Sequence, residues 1–504
     1  MKTPYTILIL FFLTLTGSLC AQDTVYVMQR GSVIYHRALS DIDSVSFVNT
    51  LDIRKSIVEK VASDPRFSLF YAALNATGLI DSLRSDKDRS YQVGNYPTGD
   101  LVLKNPSNWF YQEYPASKIY GFTAFLESNA TYQKYNIGHL TELKAYAKSV
   151  YDQAYPEDAD VNDLTDRRNS LNRFISYHLV NKRLSTNMLI DAYDTDHMLK
   201  TSDMVEYMET MCPNTLMEIS KIRSTGKTNQ INRSRSTGNA IQILTSSEND
   251  PKYNGVFHEI DQVLAYTSDF QSELSSKRLR FDIASLFPEL TNNNLRGRGL
   301  TSPNLQFKLP AGYIERITLS NQTKVDYLTP YYKYQDYEGD ELYLSSTAGN
   351  VYNFSMVLPP IPAGTYEVRY GYLINGIRGV AQLLIDDQPL GAPINLNLMA
   401  TVADIGYIIP GSDASDPFGF ENDKVLRNHG YMKGPANYKV PSTGWSFGEN
   451  ARMSPQILRK IVGTFSFSRA SNHVLTVQGL SSGEFMLDFI EFVPTSLLET
   501  EDIY

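Results

Sequence analysis

Gly444-Trp-Ser446-Phe-Gly448 fits G-x-S-x-G, the pattern that presents a nucleophilic serine on a sharp turn. That chemistry needs a buried strand before the serine, a helix after it, and an acid and a histidine downstream. Here Pro441-Ser-Thr precedes the motif, which is a loop signal, and His473 is the one histidine beyond it. Glu449, almost touching Ser446 in sequence, is the one carboxylate between the two, so the motif reads as a loop and a hydrolase using Ser446 as a remote alternative. Metal hydrolysis has no H-E-x-x-H to rest on; the histidines are scattered, and Asp191, Asp194, Asp196 and His197 read as a solvated loop. Paired carboxylates for glycoside hydrolysis leave no signature, because their spacing is spatial. Binding chemistry is better represented. Tyr327, Tyr331, Tyr332, Tyr334 and Tyr337 crowd a polar stretch with Asp326, Asp336 and Asp340, and Trp445 sits in a loop bearing Pro and Gly. Flat aromatic faces stack on sugar rings while carboxylates fix hydroxyls, and the same tyrosines would equally cover a sheet edge. Trp445, Tyr331, Tyr332 and Arg378 are the candidate ligand-binding residues. The acids raise calcium as an alternative, but no D-x-[DN]-x-[DN]-G loop accompanies them, so no cofactor is expected.

The amino terminus sets the compartment. Lys2 is followed by the apolar or small run Ile7 to Gly17 and by the small-residue stretch Ser18-Leu19-Cys20-Ala21. The run is too short to span a bilayer, so residues 1–21 read as a signal peptide cut after Ala21. A second reading is lipidation at Cys20, which would tether the chain to the outer membrane; Leu19 fits that signal poorly. No later stretch approaches about 18 apolar residues, so no transmembrane segment is expected. The net charge of −9 argues against nucleic acid as a partner. Once the signal is removed, Cys212 stands alone, and an exported chain without a disulfide must be held by its cores.

The elements that would position these residues follow from period and punctuation. Residues 22–50 form a short β segment, with Val25-Tyr-Val27 and Val33-Ile-Tyr35 flanking Arg30-Gly31. Its "IDSVSF" ending at 42–47 resembles a segment found after the signal in surface proteins of glycan-using Gram-negative bacteria. From 51 the apolar period becomes helical, interrupted at Pro65, with further helices at 139–153 and 168–183. Strand-like runs return at 215–245 and 254–266. Residues 269–290 read as a helical connector, and Thr291 to Gly299 as the domain boundary. Beyond 304 short strands with Pro and Gly turns imply a sandwich or barrel.

Three segments belong together. Thr123-Ala-Phe125-Leu-Glu-Ser128-Asn129 is a strand running into good N-cap residues. Leu171 to Val180 is an apolar helix ending in Tyr177-His178. Asn254-Gly255 is a turn that launches an alternating strand through His258 and Asp261. In this order they resemble the fasciclin (FAS1) domain, with Leu126-Glu127 standing where that family often has Ala-Pro. The resemblance covers about 51–268, with insertions at 85–120 and 150–168, and implies a β-wedge packed with helices that serves adhesion. It implies a recognition role for Tyr177 and His178; the residues alone also allow a hydrogen-bonded core histidine with a packed tyrosine. His258, on one strand face with Val256 and Ile260, reads as a core histidine. The basic stretch Lys221 to Arg235 reads as a solvated hairpin.

The order Gly364-Thr-Tyr-Glu-Val-Arg-Tyr370, Val380 to Asp387, His473 to Val477 and Leu487 to Pro494 resembles galactose-binding-like jelly rolls, including carbohydrate-binding modules. On its closing strand Asp488 and Glu491 need partners. The expected fold is α+β: a FAS1 domain at 51–268, a helical connector and linker at 269–300, and an all-β jelly-roll sandwich at 301–504. The expected function is that of a non-catalytic exported protein, at the cell surface, outer membrane or periplasm or secreted, that binds a glycan or an envelope protein. The alternative is a structural assembly component without glycan binding.

Overall fold

Side-chain caps open the helices where local chemistry places them. Ser56, Ser128, Asn169 and Thr267 accept the backbone N–H of Val58, Thr131, Leu171 and Phe270. Glu142 reaches back to the N–H of His139 at the start of the longest helix, whose buried residues Leu143, Ala147 and Tyr151 recur every fourth position. The computed structural model describes residues 24–29, 32–38, 55–91, 111–113, 115–189, 203–222, 227–296, 305–320, 322–329, 335–347, 349–436, 439–441 and 447–499.

In chain order the elements are β1 (Thr24–Gln29), β2 (Ser32–Ala38), α1 (Ile57–Ala62), α2 (Ser68–Ala76), α3 (Leu79–Leu83), β3 (Tyr111–Glu113), β4 (Phe122–Glu127), α4 (Asn129–Gln133), α5 (Leu140–Ala154), α6 (Ser170–Tyr177) and β5 (Leu179–Val180). Then follow β6 (Asp203–Glu209), β7 (Leu216–Ile222), β8 (Lys227–Ile231), β9 (Ile241–Ser246), β10 (Gly255–Ile260), α7 (Ser268–Leu274), β11 (Leu279–Asp282), α8 (Pro288–Asn292), β12 (Leu305–Leu309), β13 (Ile317–Leu319), β14 (Thr323–Leu328), β15 (Glu341–Ser346) and β16 (Asn353–Val357). The chain closes with β17 (Gly364–Leu373), β18 (Val380–Ile385), β19 (Gln388–Asn395), α9 (Phe420–Asn428), β20 (Tyr431–Lys433), β21 (Lys439–Pro441), β22 (Phe447–Asn450), β23 (Ile457–Phe467), β24 (Val474–Gly479), β25 (Glu484–Leu487) and β26 (Phe489–Pro494).

Residues 1–53 form one unit, whose described part is the antiparallel hairpin β1–β2. The signal residues Cys20 and Ala21 and the "IDSVSF" segment lie outside the described residues. Residues 54–504 form the second unit. It holds a seven-stranded sheet in the order β5-β4-β10-β9-β8-β7-β6, with α1 to α6 beside it, and three five-stranded sheets. The latter run β11-β26-β17-β23-β20, β25-β15-β14-β12-β3 and β13-β16-β24-β18-β19. The chain is thus α+β, with sandwich-like sheets in its second half.

Three expectations need correction. The connector is helical only through α7; β11 then pairs antiparallel with β26 inside a sandwich sheet. Likewise β3, from the stretch read as an insertion, pairs parallel with β12. The helical and sandwich halves are therefore interleaved, and the chain does not divide at 291–299. An edge strand leaves a row of backbone donors and acceptors open, and strands borrowed from the other half satisfy them. The third correction concerns β10. All six residues are buried, because it lies between β4 and β9 and is covered on both faces, so it does not alternate between core and solvent.

Candidate functional site

The residues of the three motif segments come together as one hydrogen-bonded core. Thr123 Oγ1 donates to the Lys182 carbonyl at 2.6 Å and accepts the Leu184 N–H at 2.9 Å. Phe125 is buried and its ring centroid lies 5.4 Å from that of His258. Ser128 caps α4, while Asn129 donates to Pro65 and Ser68 and accepts from Leu69. Asn254 is fully buried: its Oδ1 accepts the Ile57 N–H at 2.7 Å and its Nδ2 donates to the carbonyls of Leu83 and Ser85. Gly255 is required by space, since a Cβ there would lie 2.7 Å from the Phe122 carbonyl oxygen and 2.9 Å from Ile57. The Asn-Gly pair is thus a staple between segments and not a hairpin turn. Asp261 accepts the Gln242 N–H at 2.8 Å.

Tyr177 and His178 are fully buried, in line with the reading of a hydrogen-bonded core histidine beside a packed tyrosine, and present no surface for the recognition role that the resemblance implies. Tyr177 Oη donates to the Leu216 carbonyl at 3.0 Å and accepts from Asn232. His178 places Nδ1 2.7 Å from the Phe174 carbonyl and Nε2 2.8 Å from Glu127 Oε1. His258 is held by Ser246 Oγ at 2.7 Å and the Leu184 carbonyl at 2.9 Å, and burial pushes its imidazole down to about 4. Sequence reasoning missed Glu127. Its carboxylate takes His178, Tyr132 Oη and the Leu264 N–H. The available signal was a charged residue closing an otherwise apolar strand.

Of the ligand-binding candidates, Trp445, Tyr331 and Tyr332 lie outside the described residues. Arg378 is corrected: it is buried, with its guanidinium between Glu341 and Glu484, and offers no surface to a ligand. Tyr327 and Tyr337 are buried as well, and Tyr327 Oη donates to Asp340 at 2.6 Å. The acids of that stretch face inward because Arg296 gathers Asp282, Glu338 and Asp340. Burial pushes Asp336 and Asp488 well above the ordinary carboxylate range. Among the described residues no three His, Cys, Asp or Glu are grouped to hold a metal ion.

Three features outside the motif core have chemistry to offer. The first is a cleft of about 460 Å³ lined by residues of both halves, including Tyr120, Lys182, Glu209, Glu289 and Arg316. Burial lowers the Lys182 amine to about 8, and burial also raises Glu289. The second is an apolar ledge on the excursion between β19 and β20. Met399, Val402, Ile408, Ile409, Phe418, Phe420 and Val425 are all exposed there, Phe418 at 68%. The Phe418 and Phe420 rings stack at 5.6 Å, and Asn422 ties the excursion together through the Ile408 N–H and the Gly406 carbonyl. The third is a serine–histidine–aspartate array. His473 Nδ1 lies 2.6 Å from Asp386 Oδ2 and its Nε2 lies 3.1 Å from Ser471 Oγ. That is the order in which an acid orients a base and the base activates a hydroxyl. Asp386, in the left-handed region at φ 48°, turns the β18–β19 hairpin and also accepts the Val474 N–H. By contrast, Ser446 lies outside the described residues, and Phe447 and Gly448 of its motif belong to β22, a strand where the elbow needs a helix.

No family model matches the chain, and no curated protein matches it. Among solved structures it has a distant likeness to a Paenibacillus xanthan lyase, at 15% identity over 35% of this chain and 12% of that one, with a TM-score of 0.20. The catalytic domain of a GH87 α-1,3-glucanase matches at 14% identity over 36% of this chain and 28% of that one, with a TM-score of 0.17. The insecticidal crystal protein Cry2Aa matches at 10% identity over 73% and 69%, with a TM-score of 0.20. The chain spans 12% and 28% of the length of the first two. At TM-scores this low the likenesses carry no inference about fold or chemistry.

Proposed function

We propose that the protein is an exported, non-catalytic surface protein that binds a glycan or an envelope protein through its C-terminal half. The observation that carries this reading is the ledge at 399–425. Seven large apolar side chains are exposed within this one excursion, two of them as a stacked pair, and such a concentration suits a partner. The flat stacked rings of Phe418 and Phe420 suit a sugar face or an apolar protein anchor. The buried, hydrogen-bonded motif core supports reading 51–268 as fasciclin-like, and the sandwich-like sheets support reading the second half as a jelly roll. A structural assembly role without glycan binding is the alternative.

The test is binding by the full mature chain on a glycan array and in pull-downs from envelope extract. Phe418→Ser with Phe420→Ser should abolish the captured ligand at unchanged melting temperature. Binding that survives the double change, or that follows Trp445→Ala or the Tyr331–Tyr332 pair instead, sinks the assignment to the ledge. Mass spectrometry of the mature amino terminus distinguishes cleavage after Ala21 from lipidation at Cys20.

A second reading rests on the Ser471–His473–Asp386 array, which favours ester hydrolysis at a serine other than Ser446. Ser471 Oγ would bond to an acyl carbon as its proton passes to His473 Nε2; that proton then leaves with the alcohol, and water releases the acid. Fluorophosphonate labelling and p-nitrophenyl acetate turnover lost in Ser471→Ala but kept in Ser446→Ala would establish it. Absence of both in the wild type removes it.

A further inference from the structure

The cleft of about 460 Å³ where the helical and sandwich halves meet lies in the volume range that small-ligand sites occupy. One wall is built by residues 119–122 leading into β4, by Asn181 and Lys182 after β5, and by the end of β6. The other is built by α8 and by Glu315 and Arg316 before β13. Hydrogen bonds hold the two walls together, so the cleft is preformed. Asn292 of α8 accepts the Arg183 N–H at 2.8 Å and donates to the Asn181 carbonyl at 3.1 Å. Lys182 Nζ donates to the Ser285 carbonyl at 2.8 Å. Gly121 permits the approach, since a Cβ there would lie 2.6 Å from Asn292 Oδ1.

Most charges on these walls are matched within the protein. Arg316 pairs with Glu209, and Glu315 pairs with Lys118. Glu289 is different. It is buried, and its Oε1 accepts the Glu315 N–H at 2.9 Å, but its Oε2 meets no donor in hydrogen-bonding geometry among the described residues. Burial raises this carboxyl more than the N–H groups of Glu315 and of Glu289 itself lower it. A buried oxygen left unsatisfied costs free energy that a hydroxyl from a ligand would recover. The Ser285 carbonyl takes one hydrogen of Lys182 Nζ, and an ammonium carries three. Apolar surface lies among these groups, from Tyr120 and Met211 on one wall and Pro288 on the other.

A ligand that suits this lining has hydroxyls that donate and accept, a face without polar groups, and no net charge. A net charge of either sign would meet its like, on Lys182 and Arg316 or on Glu209 and Glu289. A neutral pyranose ring has that composition. We propose that the cleft holds one neutral sugar ring, with a hydroxyl donating to Glu289 Oε2 and another accepting from Lys182 Nζ. No residue of the ledge at 399–425 lines the cleft, so the assignment stands on the cleft's own chemistry and is separate from the ledge.

Saturation-transfer NMR titrations of the full mature chain with glucose, galactose, mannose, xylose and N-acetylglucosamine test this, with glucuronate and glucosamine as charged controls. Saturable transfer is expected from at least one neutral sugar and not from the charged pair. Ser85 is an exposed lining residue, so Ser85→Trp obstructs the opening without touching the core and should abolish transfer. If that variant does not fold, Ser82→Trp, at an exposed lining position of α3, serves in its place. Glu289→Gln exchanges a charged acceptor for a neutral amide and should weaken binding about fivefold. Transfer that persists when the opening is obstructed, that disappears in the Phe418→Ser, Phe420→Ser variant, or that favours a charged sugar overturns the proposal. So does an unchanged affinity in Glu289→Gln, or no transfer from any of the neutral sugars. Capture lost in the ledge variant while cleft transfer remains, or the reverse, separates a failure of this site from a failure of the proposed surface function.

Discussion

Replacing Glu127 by glutamine tests whether one buried carboxylate organises the motif core. Glu127 is fully buried at the end of β4 and its two oxygens receive three groups. His178 Nε2 and the Leu264 N–H both approach Oε1, at 2.8 and 2.7 Å, and Tyr132 Oη approaches Oε2 at 2.9 Å. His178 Nδ1 faces a carbonyl, so it must carry a hydrogen; the proton on the Nε2 side is then shared with Glu127. Glutamine keeps the volume and loses the ability to accept at both positions. With its amide nitrogen toward His178 it confronts the Leu264 N–H, donor to donor. With its oxygen there, a neutral His178 presents a lone pair to it. Either orientation leaves one buried polar group unsatisfied, which costs about 1–3 kcal/mol, and the charge-assisted contacts weaken as well. The expected loss is about 2–4 kcal/mol, read as a lower guanidinium midpoint at unchanged slope. A loss below about 0.5 kcal/mol would refute the reasoning, because it would mean that the carboxylate and its three partners are not energetically linked.

Further outcomes follow from the same packing. Asn254→Ala leaves the Ile57 N–H and the Leu83 and Ser85 carbonyls without their partner; a loss of about 3 kcal/mol is expected, with faster hydrogen exchange in α1. Gly371→Ala places a Cβ 2.1 Å from the Phe489 ring, an overpacking of about 1–3 kcal/mol or more by melting temperature that Phe489→Leu should partly relieve. His258 has its imidazole lowered by burial to about 4, below its ordinary value. Between about pH 6.5 and 4 the unfolded chain therefore binds more protons, and stability is lost as the pH falls through that window, by up to about 3 kcal/mol. Urea midpoints at pH 7 and pH 4.5 should separate in the unaltered chain and approach each other in His258→Gln.

Local chemistry was readable without a fold. The period of Leu143, Ala147 and Tyr151 marked α5, Ser128 marked a helix start, and the end of α6 fell at Tyr177-His178 as its apolar run implied. The closing strand announced that Asp488 and Glu491 would need partners, and both have them: the Tyr337 N–H for one, arginines from three strands for the other. What the sequence could not state was which strands would meet. Leu279–Asp282 looks like a helical continuation because its period is too short to declare itself; its place beside β26 follows from pairing with residues some two hundred positions away. The same holds for Arg378, which as a letter beside a glycine reads as an exposed cation. It is a buried one because Glu341 and Glu484, far apart in the chain, close on it. Sequence alone thus determined the segments whose period or cap declares itself, such as α5 and α6, and which residues are too polar to be buried alone. Only the tertiary structure decided their partners, because burial and hydrogen bonding are properties of what comes from elsewhere in the chain.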